Sequence, residues 1–322
     1  MSRRYAIVSI GTNSTRALLA DVELETPRVE FARSIGTRIG EGLGERGRLG
    51  DEPMERTLDA VAQLARAMRG HYVRMFAIAT SALRRADNGE EFMERVHEAL
   101  GVPLRVLSGE EEAEASYRGA LTAFDGRRGE RVGVIDVGGG STECAAGESV
   151  TPEKVITCEI GAVRLTEAVP KLAGRDGPVT AGELARAADL AREALRPLAE
   201  CAPVERVALV GGSATTTAAI VRAKAAPIAS YNLKRGDLQR TLERLCGMVL
   251  DERKKVVGMR PQRADILPAG IVVLDAALET LGRDEALATT SDLLLGFLLQ
   301  QWDGTRQPQR GPADSRVAKG MD

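Results

Sequence analysis

Asp136-Val137-Gly138-Gly139-Gly140-Ser141-Thr142-Glu143 sets three consecutive glycines between two acids. Glycine lets a backbone approach a ligand closely and take up positive φ. The N–H groups of Gly138, Gly139 and Gly140, with the hydroxyls of Ser141 and Thr142, can donate to phosphate oxygens. Asp136, at the end of an apolar strand, suits Mg²⁺ or another divalent cation, and Glu143 can face the same site. A tight turn alone needs no acid on either side.

A second glycine turn, Gly211-Gly212-Ser213, stands between an apolar strand and a helical stretch. Helix N-termini attract phosphate, although an ordinary strand-to-helix turn has the same pattern. In Ser108-Gly109-Glu110-Glu111-Glu112, Ser108 and Glu111 form a capping box, and acids suit a helix N-terminus. That accounts for Glu111 and Glu110. It leaves Glu112, about 100° further round the helix, where a carboxylate facing bound phosphate can take a proton from water. Arg84, in a basic turn after a strand, is able to clamp a phosphate bidentately. A solvated loop is the commoner meaning of such an Arg-Arg pair. Residues 35–50 carry six glycines among Arg38, Arg46 and Arg48, which fits either a flap over a cleft or a loose hairpin.

Alternating elements must position these groups. Apolar runs predict strands over 5–10, 15–22, 28–36, 73–79, 103–107, 132–136 and 206–210. Helical spacing predicts helices over 53–68, 181–198, 237–249, 267–281 and 292–301, with another marked by Phe92, Val96 and Leu100. Such alternation means an α/β fold with a covered sheet. The polar stretch Asp125-Gly126-Arg127-Arg128-Gly129 divides the chain into residues 1–124 and 125–302, and a polar tail, expected to be disordered, follows over 303–322. A weak repeat joins the halves. Ala6–Thr15 and Val134–Thr142 each read as strand, small-residue turn with hydroxyls, strand. Two like domains opening this way would set two anion-binding turns face to face, the first through Thr12, Asn13 and Ser14.

Composition limits the alternatives. The chain has 322 residues, enough for two domains, and its net charge of −2 gives no bulk attraction to nucleic acid or anionic lipid. Any anion site must therefore be local. The four cysteines lack metal-ligand spacing, so neither a zinc site nor a disulfide framework is expected. No apolar run approaches membrane-helix length. The expectation is a cytoplasmic protein without a membrane or nucleic-acid partner.

Taken in order and spacing, these segments resemble the exopolyphosphatase/guanosine pentaphosphate phosphatase family of the actin-like ATPase superfamily. The resemblance runs from about Ala6 to Gly296. It includes Gly11-Thr12-Asn13-Ser14-Thr15-Arg16, Ala79-Thr80-Ser81-Ala82-Leu83-Arg84, Ile160–Glu167 and Arg263-Ala264-Asp265, beside the segments above. It implies two ribonuclease-H-like domains around a central cleft and Mg²⁺-dependent hydrolysis of terminal phosphoanhydride bonds. The substrate would be inorganic polyphosphate or guanosine pentaphosphate, and a homodimer is possible on this reading. By position, Glu112 matches the water-activating base and Glu143 the second essential carboxylate. Asp136 and Gly138–Ser141 match the phosphate-and-metal loop, and Arg84 a phosphate-contacting arginine. Two features depart from the family pattern. Ser9 stands where the first loop usually has Asp, and Ser291–Gly296 is apolar where a charged turn is common. Ser9 leaves open a non-catalytic sensor of polyphosphate or guanosine tetra- and pentaphosphate. An ATP-dependent kinase is disfavoured by the Glu112 segment. Scarce aromatic residues, 3% of the chain, lean towards polyphosphate over a guanine-bearing substrate.

Overall fold

The computed structural model describes residues 4–24, 26–124, 129–225 and 228–306. Residues 125–128 of the expected linker and 307–322 of the expected tail lie outside the described residues. The first lobe contains β1 (Arg4–Ile10), β2 (Ser14–Asp21), β3 (Arg28–Gly36), α1 (Leu43–Arg46), α2 (Asp51–Met68), β4 (Arg74–Ala79), α3 (Ser81–Arg84), α4 (Gly89–Leu100) and β5 (Leu104–Val106). Next comes α5 (Gly109–Ala120). The second lobe contains β6 (Val132–Val137), β7 (Thr142–Gly147), β8 (Lys154–Cys158), α6 (Ala162–Ala168), α7 (Ala181–Leu195), β9 (Arg206–Val210), α8 (Gly211–Val221), β10 (Ser230–Lys234), α9 (Arg235–Cys246), α10 (Leu250–Arg253), α11 (Leu267–Thr280) and β11 (Glu285–Thr289). The last helix is α12 (Leu293–Arg306).

The two sheets repeat one plan. Their orders are β3-β2-β1-β4-β5 and β10-β11-β9-β6-β7-β8. In each, an antiparallel three-strand meander is followed by two strands parallel to its first member, and in the second sheet β10 adds an antiparallel edge. β1 and β6 are mostly apolar, with Ser9 and Asp136 near their C-terminal ends, because both of their faces are covered. Ala6, Val8 and Ile10 enter the core under α2 and α4, whereas Tyr5 and Ile7 enter the one under α12. Ile135 and Val137 face α7 and α11, whereas Val132 and Val134 face α5. The period-two alternation of a strand thus serves two cores at once.

The helices covering the inner faces are exchanged between lobes. α5 follows β5, yet Ala113, Tyr117 and Ala120 pack on the second sheet. α12 follows β11, yet Leu293–Leu299 contribute to the core over β1 and β2. Where the two helices cross, glycine is required. A Cβ on Gly296 would stand 1.7 Å from the Ala115 carbonyl oxygen, and one on Gly119 would stand 2.2 Å from that of Asp292.

Several boundaries differ from the sequence expectation. α7 ends at Leu195 and continues as a 3₁₀ segment, Arg196–Cys201, because Pro197 has no N–H for the α ladder. α12 runs to Arg306, past the point at which a tail was expected. The strands β8, β10 and β11 are short and mix apolar with polar residues, so periodicity does not mark them. Among the described residues, no helix is long and apolar enough to cross a membrane.

The crossing supplies a test. Gly296→Ala should destabilise the protein at the upper end of the roughly 1–3 kcal/mol typical of overpacking, because backbone must move. Gly182→Ala, where nothing lies within 4 Å of the added carbon, should be neutral or slightly stabilising. Urea unfolding of both variants beside the wild type checks the difference.

Candidate active site

The β1–β2 turn and the β6–β7 turn close with the same hydrogen bond, Gly11 N–H to the Ser14 carbonyl and Gly138 N–H to the Ser141 carbonyl, both at 3.0 Å. They meet across the cleft. A Cβ on Gly139 would lie 2.9 Å from Thr12 Cβ, and one on Gly140 would lie 2.7 Å from Ser81 Oγ. Close approach, not positive φ, is why glycine is needed there: none of Gly138, Gly139 and Gly140 has positive φ, whereas Gly211 does, at 88°.

Each turn is braced from outside by N–H groups. Asn13 carbonyl accepts from Thr37 and Arg38, and Thr12 carbonyl from Gly40. Gly138 carbonyl accepts from Ala162, and Gly139 carbonyl from Val163 and Arg164 at the start of α6. With their carbonyls committed outward, the turns can present amide edges to an anion between them. The glycine-rich 35–50 segment is therefore neither a free flap nor a loose hairpin at residues 37–40. It is the brace of the first turn.

The cleft encloses about 90 Å³. Thr12, Asn13, Ser14, Asp136, Gly138, Gly139, Gly140, Ser141, Glu143, Glu112, Gly211 and Gly212 all line it. Two expected site residues do not. Ser213 is buried behind the turn, its Oγ set against Gly270 in the packing of α8 on α11. Arg84 stands behind Glu112, bonded to that carboxylate and, at 2.6 Å, to the Leu107 carbonyl. The helix cap separates the three adjacent glutamates. Glu111 completes the capping box with Ser108, Glu110 is exposed, and Glu112 is buried in the cleft.

Arg263 is the principal lining residue without a role in the sequence reading. Its guanidinium passes so close to Gly212 that a Cβ there would lie 1.9 Å from Cζ. The Arg263-Ala264-Asp265 tripeptide was the available signal, but nothing local places it in the cleft. Arg16 also lines the cleft and pairs with Asp292. Arg38 instead makes a bidentate pair with Asp265, at 2.7 and 2.8 Å, in an adjoining recess. Ser116 on α5 donates to Asp136 at 2.6 Å.

The electrostatics follow from this crowding. Burial raises Glu112 from 4.5 to about 7 despite the opposing Arg84, and Asp136 from 3.8 to about 6 despite the bond from Ser116. Burial, with repulsion from Glu112 and Asp136, pushes Glu143 well above the usual carboxylate range. Burial and the neighbouring Arg260 and Arg16 lower Arg263 to about 9. Three buried polar atoms of the lining, Glu143 Oε1, Ser81 Oγ and Arg263 Nε, have no hydrogen-bond partner. Such atoms are costly to bury alone and are suited to receiving a ligand.

A profile of the Ppx/GppA phosphatase family matches residues 23–295. Exopolyphosphatase 2 of Mycobacterium tuberculosis is 33% identical over 92% of this chain and 98% of its own length. The guanosine-5′-triphosphate,3′-diphosphate pyrophosphatase of Vibrio atlanticus is 29% identical over 94% of this chain and 60% of its own. Among solved structures, the Aquifex aeolicus Ppx/GppA family member superposes with a TM-score of 0.77 and 26% identity, covering 95% of this chain and 99% of that one. An exopolyphosphatase structure from Cytophaga hutchinsonii has a TM-score of 0.83 at 24% identity, covering 94% and 98%, and shares the fold.

A stability measurement tests the carboxylate cluster. With folded-state values raised above those of the unfolded chain, the native state binds more protons in the interval between them. Stability is then fully present below the unfolded values of 3.8 and 4.5 and is lost as pH rises towards about 6 and about 7. In chelator, the melting temperature should fall between about pH 4 and 7, and Glu143→Gln should make that fall shallower. An identical slope in the variant would remove Glu143 from the cluster's titration.

Proposed function

This chain belongs to the Ppx/GppA phosphatase family, and from that premise we propose that it is an exopolyphosphatase, hydrolysing the terminal phosphoanhydride bond of polyphosphate to release orthophosphate. The observation that carries this reading is the placement of Glu112. Its buried carboxylate opens onto the same small cleft as the two facing turns.

In this mechanism the terminal phosphoryl group rests between the turns. The Gly138–Ser141 amides and hydroxyls, with those of Thr12, Asn13 and Ser14, donate to its oxygens. Glu112 takes the proton of the attacking water. A base near pH 7 is well matched to that task, since it is substantially ionised and still basic enough to accept a proton. Isolated glutamate would be ionised but weakly basic, so burial in the cleft improves the base. Arg84 holds the carboxylate in one orientation. Arg16 and Arg263 offset charge on the phosphate groups, where positioning and electrostatics supply most of phosphoryl-transfer catalysis.

Among the described residues, no three of His, Cys, Asp and Glu gather into a ready cage for a metal. Mg²⁺ needs none: it is commonly held by one or two carboxylates, substrate phosphates and water. Asp136 and Glu143 fit that description, and the unpartnered Glu143 Oε1 is the group such an ion would satisfy. When bound, the ion would neutralise developing charge on phosphate oxygens. Ser9 is buried at the cleft wall. The lining contains no aromatic ring, so it offers no stacking surface for guanine, which favours polyphosphate over guanosine pentaphosphate. We place the enzyme in the cytoplasm on the same reading.

Two experiments follow. Glu112→Gln should lower turnover of polyphosphate by about 10²–10⁴ with binding retained. Glu111→Gln, which touches the cap and the exposed pair with Arg105, should cost about 1 kcal/mol of stability or less and little activity. Small, equal activity losses would leave the base unassigned. In the second, Ser9→Asp adds a carboxylate to the wall and should lower the Mg²⁺ concentration needed for half-maximal phosphate release. An unchanged Mg²⁺ titration would make Ser9 a tolerated substitution.

A further inference from the structure

A terminal phosphate in so small a cleft leaves the rest of a polyphosphate chain outside it. Two recesses adjoin the cleft, and their charges differ. The first shares Thr12 and Asn13 with it and contains Arg38 and Arg175, but also Glu41, Glu167 and Asp265. Both of its arginines are engaged with Asp265. Acids outnumber bases there, which disfavours a polyanion. The second is a groove of about 360 Å³ that shares Arg16 with the cleft. Its charged lining consists of Arg16, Arg33 and Arg260, with no acid.

The arginines of this groove are poorly compensated. Arg16 is paired with Asp292, while Arg33 and Arg260 form no ion pair among the described residues. Arg260 is half-buried; burial lowers its pKa, repulsion from Arg16 adds to the effect, and the nearby Asp292, already paired with Arg16, opposes it only in part. Arg263 on the cleft side feels the same repulsion from Arg260 and Arg16. Cations packed this closely gain from an anion lying among them. Ser34, Gln262 and Thr290 add uncharged hydrogen-bonding side chains to the lining.

We infer that the groove lined by Arg33 and Arg260 is a second phosphate-binding site, which holds the phosphates of a linear polyphosphate beyond those in the cleft. The inference rests on the exopolyphosphatase reading for its substrate, and on the unequal charge of the two recesses for its direction. Arg16, common to cleft and groove, lies on the path between them. The groove contributes affinity for long chains and takes no part in bond cleavage. Chain-length preference therefore resides in Arg33 and Arg260.

The test compares Arg33→Gln, Arg33→Glu and Arg260→Gln with the wild type on tripolyphosphate and on long-chain polyphosphate. Phosphate release is measured in one arm, and direct binding of long-chain polyphosphate in the other. Each neutralised arginine should lower kcat/KM for long chains on the order of tenfold, roughly one charge-assisted contact. Tripolyphosphate should change by less than about twofold, and the loss should appear in KM and not kcat. Charge reversal at Arg33 should lose more than neutralisation and flatten the salt dependence of binding. Arg33 is exposed on β3, so its variants remain informative if Arg260→Gln fails to fold. Equal losses on both substrates, or none on long chains, overturn the groove. Should the wild type release no phosphate from either substrate, the exopolyphosphatase reading fails on its own, and binding decides the groove. Long-chain binding weakened about tenfold by Arg33→Gln upholds it, and unchanged or absent binding overturns it.

Discussion

Two backbone turns held nearly in contact are the constraint on which the rest of the structure depends. Thr12 lies where a side chain on Gly139 would have to be, and Ser81 where one on Gly140 would. That approach is possible only if neither turn spends its carbonyls inward. Residues 37–40 take the carbonyls of the first turn, and the start of α6 takes those of the second. Bracing by unrelated segments reaches one result in both lobes, and what remains facing inward is donor-rich. An anion is the natural occupant of such a place.

The same closeness sets the electrostatics. Glu112, Asp136 and Glu143 are carried into the cleft by α5, β6 and β7, with little water to solvate them. Each is shifted towards its protonated form chiefly by burial; repulsion from Asp136 adds to the shift of Glu112 and Glu143, and repulsion from Asp292 to that of Asp136. Arg263 is strained in the opposite sense. The cleft thus combines carboxylates raised by burial with an arginine lowered by it. A phosphate and a divalent cation together would relieve both, which explains why two unfavourable sets of charges coexist in one small space.

The exchanged helices keep this arrangement in register. α5 belongs by chain order to the first lobe and by packing to the second, and it carries Glu112 on one turn and Ser116, the partner of Asp136, on the next. α12 makes the reciprocal exchange, and Asp292 at its start holds Arg16. The Gly119–Gly296 crossing brings the two backbones together. Packing and site geometry are therefore not separable here. A shift of α5 moves Glu112, and a shift of α12 moves the partner of Arg16. The Asp292–Gly296 segment, whose leucines enter the core over β1 and β2, is the part of the chain that makes the second exchange.

Much of this was legible in the residues. Apolar alternation marked β1 through β4 and the helices with one polar face, since those patterns repeat within a few residues. Gly138–Ser141, Asp136 and Glu143 stood out because three glycines between two acids have few uses. The capping box separated Glu111 from Glu112 on helix geometry alone. Other features had no local trace. The short strands β8, β10 and β11 owe their conformation to neighbours already in the sheet. Arg263 and Asp292 reach the site from the last third of the chain, and the exchange of α5 with α12 cannot be read from either helix. By itself, the sequence determined the turns, the acids and the repeated strand plan, because these depend on residues adjacent in the chain. Only the tertiary structure decided which arginines enter the cleft, which carbonyls turn away from it and how far burial raises Glu112, because those depend on what distant segments bring within a few ångströms.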